Sequence, residues 1–371
     1  MEEQKSKYEE IVNWVQARLD CGELDQGDRL ESENELTAIF GVSRQTVRHA
    51  ISVLDNRGMV DRRRGSGTYI KIPEKQERKI TKTKRIGIVT TYVNEYIFLP
   101  IIQEMERVLS KSGYNMQVSF TNNSIEKERL ILKSLLKDMA VDGIIAEPAR
   151  SGLPNPNLPL YRAIMDLGVP VIFLNSFYKE LPAPYVGLDD KAAGKIAAEH
   201  LLQCGHRKIG GIFKADDGQG HERYAGYVEA LMEAEVKVKG ERIAWIDTEG
   251  LRSPVEDFHW VLKRLTDCTA CVCYNDEVAK KLINICLEQG ISIPEDLSVV
   301  GIDNSDLGIF CEVPFTSVEN PVNDLGRTAA LKMMELLNGH AVEHSMTLKP
   351  KVIMRNSVRM IDNMLNGGRE V

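Results

Sequence analysis

The sequence has no hydrophobic run near the roughly 18 residues that a membrane-spanning helix needs. Its start, MEEQKSKYEE, is too charged for a secretory signal peptide, so we expect a cytosolic protein. The seven cysteines are an odd number, which argues against a disulfide framework. Aromatic residues make up only 6%, but 43% hydrophobic and 27% charged residues are ordinary for a globular chain of 371 residues, which excludes fibrous repeats and general disorder.

The sequence also lacks the motifs that most often mark an enzyme: GxxxxGK[ST], a GxGxxG between a strand and a helix, and HExxH. A Ser/His/Asp triad remains open, because triads follow no fixed sequence order. Cys268, Cys271 and Cys273 form CxxCxC, but no second cluster completes a metal site, so core packing is favoured. The pair Asp216-Asp217 could bind a cation, but we favour a solvent-exposed loop or a lid that covers a ligand. We therefore predict no enzyme, no metal and no cofactor.

Charge is distributed unevenly along the chain. The net charge is −7, yet residues 43–85 contain 13 Lys and Arg against 4 Asp and Glu. Residues 1–85 carry +2, and residues 86–371 carry −9. A short basic segment joined to a large acidic body is expected when one part binds phosphates and the other does not.

Residues 1–71 read as three helices followed by a hairpin. Apolar residues recur at helical spacing over 5–20. Ser32-Glu-Asn-Glu35 is a capping box that predicts a second helix, and Gly41-Val-Ser43 predicts a tight turn into a third. Two short strands are predicted around a basic tip at Arg62–Arg64. This order predicts a small α+β winged helix-turn-helix.

The start of the third helix suits a DNA groove, because Arg can bind guanine and Gln adenine through two hydrogen bonds each. The alternative is a solvated basic surface without a partner. Phe40-Gly-Val-Ser-Arg-Gln-Thr-Val-Arg-His-Ala50 and Gly65-Ser-Gly-Thr-Tyr-Ile70 resemble the winged-helix domain of the GntR regulator family, which implies DNA contacts from helix and wing. Asn34 stands where many relatives have arginine. The candidate DNA-binding residues are Glu33, Asn34, Ser43, Arg44, Gln45, Thr46, Arg48, Arg63, Arg64 and Gly65.

Beyond a charged segment at 72–84, the pattern of predicted secondary structure changes. That segment predicts a linker, with a solvated surface helix as the alternative. From residue 85, β-rich runs alternate with helical stretches, which predicts parallel sheets covered by helices. Two doubly wound lobes fit better than one barrel, although the pattern alone leaves a (β/α)8 barrel open. Strands are predicted at 86–90, 116–120, 143–147, 169–175, 208–213, 243–246, 270–274 and 298–302.

The body resembles the LacI-type effector domain, which is similar to periplasmic sugar-binding proteins of type I. Val141-Asp-Gly-Ile-Ile-Ala146, Arg223-Tyr-Ala-Gly-Tyr227 and Ile293-Pro-Glu-Asp-Leu-Ser-Val-Val-Gly-Ile-Asp-Asn304 carry the resemblance. It implies an α/β domain at 85–362 with two lobes and a tail at 363–371. The lobes would comprise roughly 85–188 with 317–346, and 189–316 with 347–362. It also implies a homodimer through helices near 88–112 and 276–290.

A GntR-type head joined to a LacI-type body resembles the family of arabinose repressors of Gram-positive bacteria. Thr90-Thr-Tyr-Val-Asn-Glu-Tyr-Ile-Phe98 and Gly211-Ile-Phe-Lys-Ala-Asp-Asp-Gly-Gln-Gly220 add to that resemblance. It implies a cytosolic repressor that leaves operator DNA when L-arabinose binds. Another pentose, a nucleoside or a sugar phosphate is the alternative effector.

Sugar hydroxyls donate and accept, so a polyol site needs carboxylates, amides, a guanidinium and an aromatic face. The resemblance implies that Asn175, Asn275, Asp303 and Arg223 hydrogen-bond the ligand and that Trp245 stacks on it. The alternatives are a salt bridge for Arg223, a core position for Trp245, and loop capping for Asn275 and Asp303. Further candidates, chosen by position at strand ends, are Tyr92, Tyr96, Phe98, Glu147, Lys214 and Glu319.

Overall fold

A computed structural model describes residues 7–20, 23–56, 59–63, 66–71, 83–92, 96–138, 140–252, 258–340 and 345–361. The chain divides into two units, residues 1–81 and 82–371. Most of the predicted linker and the predicted tail lie outside the described residues. Thr83 and Lys84 belong to the second unit, because their backbone N–H groups donate to Asp142 at 2.7 and 3.0 Å. No helix in the described ranges is long and apolar enough to cross a membrane.

The first unit contains three helices and an antiparallel hairpin in its described part. They are α1 (Lys7–Asp20), α2 (Glu33–Phe40), α3 (Arg44–Asn56), β1 (Val60–Arg63) and β2 (Gly67–Ile70). The capping box is confirmed: Glu35 N–H donates to Ser32 Oγ at 3.3 Å, and Ser32 N–H donates to the Glu35 carboxylate at 2.7 Å. Gly41, with φ of 60°, ends α2, and Ser43 caps α3 by accepting from Thr46 N–H.

In its described part, the second unit contains two six-stranded sheets, one in each lobe. The first-sheet strands are β3 (Arg85–Thr90), β4 (Asn115–Phe120), β5 (Gly143–Ala146), β6 (Val171–Leu174), β7 (Tyr185–Leu188) and β13 (Met346–Leu348). This sheet is parallel throughout, in the order β13-β7-β6-β5-β3-β4.

The second-sheet strands are β8 (Ile209–Lys214), β9 (Ile243–Ile246), β10 (Ala270–Cys273), β11 (Ser298–Asp303), β12 (Thr316–Glu319) and β14 (Val352–Ile353). This sheet, in the order β14-β12-β11-β10-β8-β9, is parallel except where β14 meets β12.

Helices connect these strands and cover the sheets. They are α4 (Phe98–Lys111), α5 (Ile125–Asp138), α6 (Leu158–Asp166), α7 (Asp190–Gln203), α8 (Gly218–Glu233), α9 (Thr248–Arg252), α10 (Trp260–Leu265), α11 (Asp276–Glu288), α12 (Leu307–Phe310) and α13 (Val322–Leu337). The eight predicted strands are confirmed within two residues, and two doubly wound lobes replace the barrel alternative. Cys271 and Cys273 are fully buried in the core around β10, which confirms the predicted packing role.

The chain passes between the lobes after Leu188, after Glu319 and after Leu348. The first crossing lies where it was predicted, whereas the second lies three residues beyond the approximate bound 316/317 and the third two residues beyond 346/347. Residues 316–319 pair in parallel with β11 and remain in the second sheet. A strand of four residues carries too little periodicity to indicate which sheet it joins.

Helices α7 and α8 meet through glycines. A Cβ on Gly194 would lie 1.9 Å from the Arg223 carbonyl oxygen, and one on Gly226 would lie 1.9 Å from that of Lys191. The two backbones therefore touch, which brings Arg223 on α8 beside Asp190 on α7.

We expect Gly194→Ala to lower the free energy of unfolding by at least the roughly 1–3 kcal/mol of an overpacked core, because the added methyl must push α8 away. Urea titration followed by circular dichroism measures this. Gly240→Ala is the control, since its Cβ would meet no atom within 4 Å. Equal stability of the two variants would contradict the close crossing.

Candidate functional site

In the first unit, α3 presents a polar face at its start. Ser43, Arg44, Gln45 and Arg48 are exposed and Thr46 is half-buried, while Val47 of the same helix is fully buried. Gln45 and Arg48 border a shallow groove with Ser43, Thr46, Tyr8 and His49, the last two of which sequence reasoning missed. Glu33, on α2, accepts a hydrogen bond from Arg48 Nε at 2.9 Å. The structure thus brings most of the predicted helix residues together on one surface.

The wing is described only in part. Arg63 on β1 lies over the ring of Tyr69 at 4.5 Å and donates to Asp61 at 3.2 Å. Arg64 and Gly65 lie outside the described residues, so their predicted contacts stay predictions. Asn34 is exposed on α2, beside Glu33.

In the second unit, loops at the carboxyl ends of strands from both lobes enclose a cavity of about 60 Å³, here called the inner chamber. A water needs about 10–15 Å³ of such volume, so the chamber has room for roughly four to six waters. Nine of the eleven predicted effector residues line it: Tyr92, Tyr96, Phe98, Glu147, Asn175, Lys214, Arg223, Asn275 and Asp303. The lining also includes Asp217, from the segment predicted as a solvent loop or a lid, and residues that sequence reasoning missed: Thr91, Asp190, Gln219, Tyr274, Glu277 and Asn320.

Arg223 is the central cation of the chamber wall. It donates to Asp190 at 2.8 Å, to the Tyr274 carbonyl at 2.6 Å and to Asp303 at 3.4 Å. Burial alone would lower the pKa of Arg223, but the charges of Asp190 and Asp303 raise it. Burial raises the pKa of Asp190 to about 6 against the opposing charge of Arg223. Arg223 therefore forms the salt bridge of the alternative and also lines the inner chamber, and its contact with a ligand stays a prediction.

Asp303 connects elements from both lobes. Its carboxylate accepts from Tyr96 Oη at 2.5 Å and from Asn320 Nδ2 at 3.3 Å. Burial raises the pKa of Asp303, and the charge of Arg223 opposes this. Asn320 Oδ1 is buried and accepts no hydrogen bond from the described residues. A buried acceptor without a donor calls for an explanation, and Asn320 lines the inner chamber.

On the first lobe, Glu147 is held by several donors. Thr91 N–H donates to it at 2.9 Å, Thr90 Oγ1 at 3.1 Å and Asn175 Nδ2 at 2.8 Å. Burial raises the pKa of Glu147 against these hydrogen bonds. Asn175 adopts a φ of 62°, a left-handed conformation that asparagine tolerates better than most residues.

On the second lobe, Lys214 is 1% exposed and pairs with Asp217, and more distantly with Asp216 at 3.4 Å. Burial alone would lower the pKa of Lys214, but the charge of Asp217 raises it. Asp217 also accepts from Tyr274 Oη at 3.2 Å. Asp216 is buried and Asp217 lines the chamber, so the solvent-loop alternative for this segment is wrong.

Trp245 and Glu319 are not in the chamber, contrary to prediction. Trp245 lies on the edge strand β9, is 39% exposed, and packs against Tyr224 with ring centroids 5.0 Å apart, which also excludes a core position. Glu319 pairs with Lys351 at 2.9 Å. Successive strand side chains point to opposite faces, so an error of one residue selects the wrong face, and Asn320 occupies the place predicted for Glu319. Tyr92, Phe98 and Tyr274 supply the aromatic surface instead.

Asn275 has two roles. Its Oδ1 accepts from Val278 N–H at 3.0 Å and so caps α11, as the capping alternative predicted. The same side chain lines the inner chamber. Among the described residues, no three His, Cys, Asp or Glu side chains come together as a metal site.

A larger cavity of about 580 Å³ adjoins the inner chamber. The two share Asn175, Leu188, Asp190 and Gln219 as lining residues. Side chains from both lobes, including Ser176 and His221, line this larger space. The two cavities are therefore neighbours between the lobes.

The two units match two known families. Residues 7–70 match the family of bacterial regulatory proteins of the gntR family. Residues 198–358 match the periplasmic binding protein-like domain. These matches agree with the winged helix-turn-helix of the first unit and the two lobes of the second.

Two relatives match along almost the whole chain. An arabinose metabolism transcriptional repressor of Halalkalibacterium halodurans is 36% identical, over 95% of this chain and 96% of its own. One of the same name from Geobacillus stearothermophilus is 34% identical, again over 95% and 96%. The transcription regulator CcpA of Lactococcus lactis has a similar solved fold, with a TM-score of 0.66 at 24% identity over 74% of this chain and 99% of its own.

Proposed function

Because this chain belongs to the family of the arabinose metabolism transcriptional repressors, with a GntR-type head and a periplasmic-binding-protein-like body, we propose that it represses genes of L-arabinose use and leaves its operator when the sugar binds in the inner chamber. We propose that it does so as a homodimer in the cytoplasm. Two heads then contact a pseudo-palindromic operator through the start of α3.

The observation that carries the proposal is the wall formed by Arg223, Asp190, Asp303 and Asn320. It combines a guanidinium, two carboxylates and an amide whose Oδ1 lacks a donor among the described residues. Vicinal hydroxyls donate to the oxygens and accept from the nitrogens, so a polyol satisfies such a wall.

The charge of the chamber distinguishes between the alternative effectors. Its lining contains Glu147, Asp190, Asp217, Glu277 and Asp303, but its cations are Lys214 and Arg223. An excess of carboxylates disfavours a phosphate ester, since a second anion here would be repelled. The small volume disfavours a nucleoside. Both arguments favour a neutral monosaccharide.

Release of DNA requires that the sugar bind the released state better than the DNA-bound state. A coupling of roughly 1–3 kcal/mol is typical of such regulators. Asn320 follows β12 at a crossing between the lobes, and Asp303 accepts from Tyr96 of the first lobe, so a ligand that binds both residues acts on the relative position of the lobes. In a dimer, that movement would alter the spacing of the two heads.

The test is a thermal melt of the purified protein with L-arabinose, D-xylose, D-ribose and D-galactose. A ligand that binds only the folded state raises the melting temperature by mass action. We expect the largest rise with L-arabinose, and release of an in vitro selected operator duplex by the same sugar in a gel-shift assay. A rise with none of the four sugars would overturn the proposed effector.

We expect Asn320→Ala to weaken L-arabinose binding by roughly 5- to 10-fold, the effect of one neutral hydrogen bond. Isothermal titration calorimetry measures the change. Asn338→Ala, at the end of α13 and outside the chamber lining, is the control. Unchanged affinity of Asn320→Ala would show that no ligand hydroxyl uses this oxygen.

A further inference from the structure

A second set of polar contacts joins the lobes beside the inner chamber. Here it is called the cross-lobe cluster: Asn123 and Arg150 of the first lobe with Asp216, Thr248 and Glu249 of the second. Asn123 Nδ2 donates to Thr248 Oγ1 at 2.6 Å. The Arg150 guanidinium donates to Glu249 and lies 3.9 Å from Asp216. Arg150 is therefore the cation of the cluster and contacts two carboxylates across the cleft.

Each side of the cluster is braced within its own lobe. Arg150 N–H donates to Asn123 Oδ1 at 2.7 Å, and Arg150 Nε donates to the Asn123 carbonyl at 3.3 Å. On the other side, Thr248 N–H and Oγ1 donate to Asp216 Oδ2 at 3.2 and 2.6 Å. The two sides of the cluster are therefore preorganised, so few side chains lose conformational entropy when the lobes close.

The backbone of the first-lobe side is unusual. Asn122, Asn123 and Arg150 have φ values of 51°, 55° and 46°. Asparagine tolerates the left-handed region, but arginine rarely adopts it. Such conformations concentrate at ligand clamps and switch regions, where surrounding contacts hold them. The cluster provides such contacts for Arg150.

The loop that carries Arg150 also approaches the second lobe closely. Gly152 N–H donates to the Asp216 carbonyl at 3.1 Å, and Gly218 N–H donates to Ser151 Oγ at 3.0 Å. A Cβ on Gly152 would lie 3.0 Å from the backbone carbon of Asp217. A side chain at residue 152 would therefore require the two segments to shift by a few tenths of an ångström.

A buried carboxylate supports this loop from within the first lobe. Glu128 is fully buried and accepts from Ala149 N–H at 3.1 Å, Asn155 Nδ2 at 2.9 Å and Tyr178 Oη at 3.0 Å. These bonds fix both ends of the segment that contains Arg150. The backbone of the segment that contains Arg150 is thus held within the first lobe.

Asn123, Arg150, Thr248 and Glu249 are absent from the lining of the inner chamber. We propose that Arg150 is a positioning residue that keeps the lobes closed over a bound effector without contacting it. This inference rests on the proposed function, because it assigns Arg150 a role in retaining the sugar. The expected signature is a faster dissociation rate with a nearly unchanged association rate.

The expected change in the dissociation rate follows from how exposed the Arg150 ion pair is. Arg150 and Glu249 side chains are 29% and 63% exposed, so their ion pair alone contributes little. The two further bonds of Arg150 to Asn123 are lost only in part on truncation. We therefore expect Arg150→Ala to speed effector dissociation roughly threefold to tenfold.

The experiment compares full-length wild type, Arg150→Ala, Arg150→Lys and Lys195→Ala by stopped-flow fluorescence with L-arabinose. Lys195 is the matched control, because it pairs with Glu229 and Glu233 within the second lobe. We expect faster dissociation for Arg150→Ala, partial recovery in Arg150→Lys and wild-type kinetics in Lys195→Ala. Equal dissociation rates for wild type and Arg150→Ala would overturn the proposal, as would an effect confined to association.

Hydrogen exchange supplies a readout that needs no ligand. The amides of Gly152 and Gly218 donate across the cleft, so their exchange reports opening of the lobes. In Arg150→Ala we expect faster exchange at these two amides and unchanged exchange within α5. If the wild type binds no sugar, the proposed effector fails, while these amides still test the role of Arg150. Unchanged exchange in the variant overturns it.

Discussion

The variant Asp303→Asn is expected to bind operator DNA as tightly as the unaltered protein and to stay bound at sugar concentrations that release the unaltered protein. The carboxylate accepts from Tyr96, Arg223 and Asn320 in the wall of the inner chamber. Asparagine keeps the shape but replaces one acceptor oxygen by a donor that faces the donor groups of its neighbours. The substitution should therefore lower the affinity for the sugar and leave the affinity for operator DNA unchanged.

The expected magnitude follows from the charge of the group. Hydrogen bonds to a charged partner contribute about 1.5–3 kcal/mol, so sugar affinity should fall roughly 10- to 100-fold. Calorimetry gives the affinity, and a gel-shift titration with sugar gives the release. Asp190 remains beside Arg223 in the variant, so the guanidinium keeps one buried partner at 2.8 Å.

Asp267→Asn is the control, because Asp267 pairs with Arg242 in the same lobe and does not line the chamber. The control should bind and release as the unaltered protein does. Loss of DNA binding in Asp303→Asn, or a wild-type response to sugar, would contradict the assignment of Asp303.

The sequence predicts positions in the chamber well where a polar residue follows a buried strand. Asn175, Asn275 and Asp303 stand at the carboxyl ends of β6, β10 and β11, and all three reach the chamber. Parallel strands end at one edge, so position along the chain already determines the neighbourhood of these side chains.

The prediction of chamber residues failed in two cases: where it depended on which face of an edge strand a side chain occupies, and where it depended on which sheet a short strand joins. Trp245 is on an edge strand and points away from the chamber, whereas Asn320 follows a four-residue strand whose sheet the pattern did not indicate. Asp190 and Tyr274 were missed because each is tied to the chamber wall by a hydrogen bond from Arg223. Arg223 donates to the Asp190 carboxylate and to the Tyr274 backbone carbonyl. Long-range pairs of this kind leave no local signal.

The second large effect is expected at the DNA surface, from Arg48→Ala. Arg48 is exposed on α3, and its Nε donates to Glu33 at 2.9 Å. That contact orients the guanidinium fork, whose terminal nitrogens have the geometry to bind a guanine edge. An exposed ion pair contributes little to stability, so the variant should fold normally.

We expect Arg48→Ala to weaken binding to the selected operator by roughly 10- to 100-fold, the 1–3 kcal/mol of a two-bond base contact, with a smaller loss on random duplex. Fluorescence anisotropy at several salt concentrations measures both. Lys239→Ala is the control, because Lys239 forms an exposed pair with Glu241 in the second unit, outside the helices expected at the dimer interface.

The salt dependence distinguishes the two kinds of contact that Arg48 can make. Loss of a phosphate contact lowers the slope of log affinity against log salt by about 1 and weakens all duplexes alike. Loss of a base contact relaxes the preference at one position of the operator. Because Glu33 orients the Arg48 guanidinium, Glu33→Gln should then lose part of the base preference at that operator position. Since glutamine removes a negative charge near the DNA, the same variant should gain affinity for random duplex. Equal losses on operator and random DNA for Arg48→Ala would assign Arg48 to the backbone.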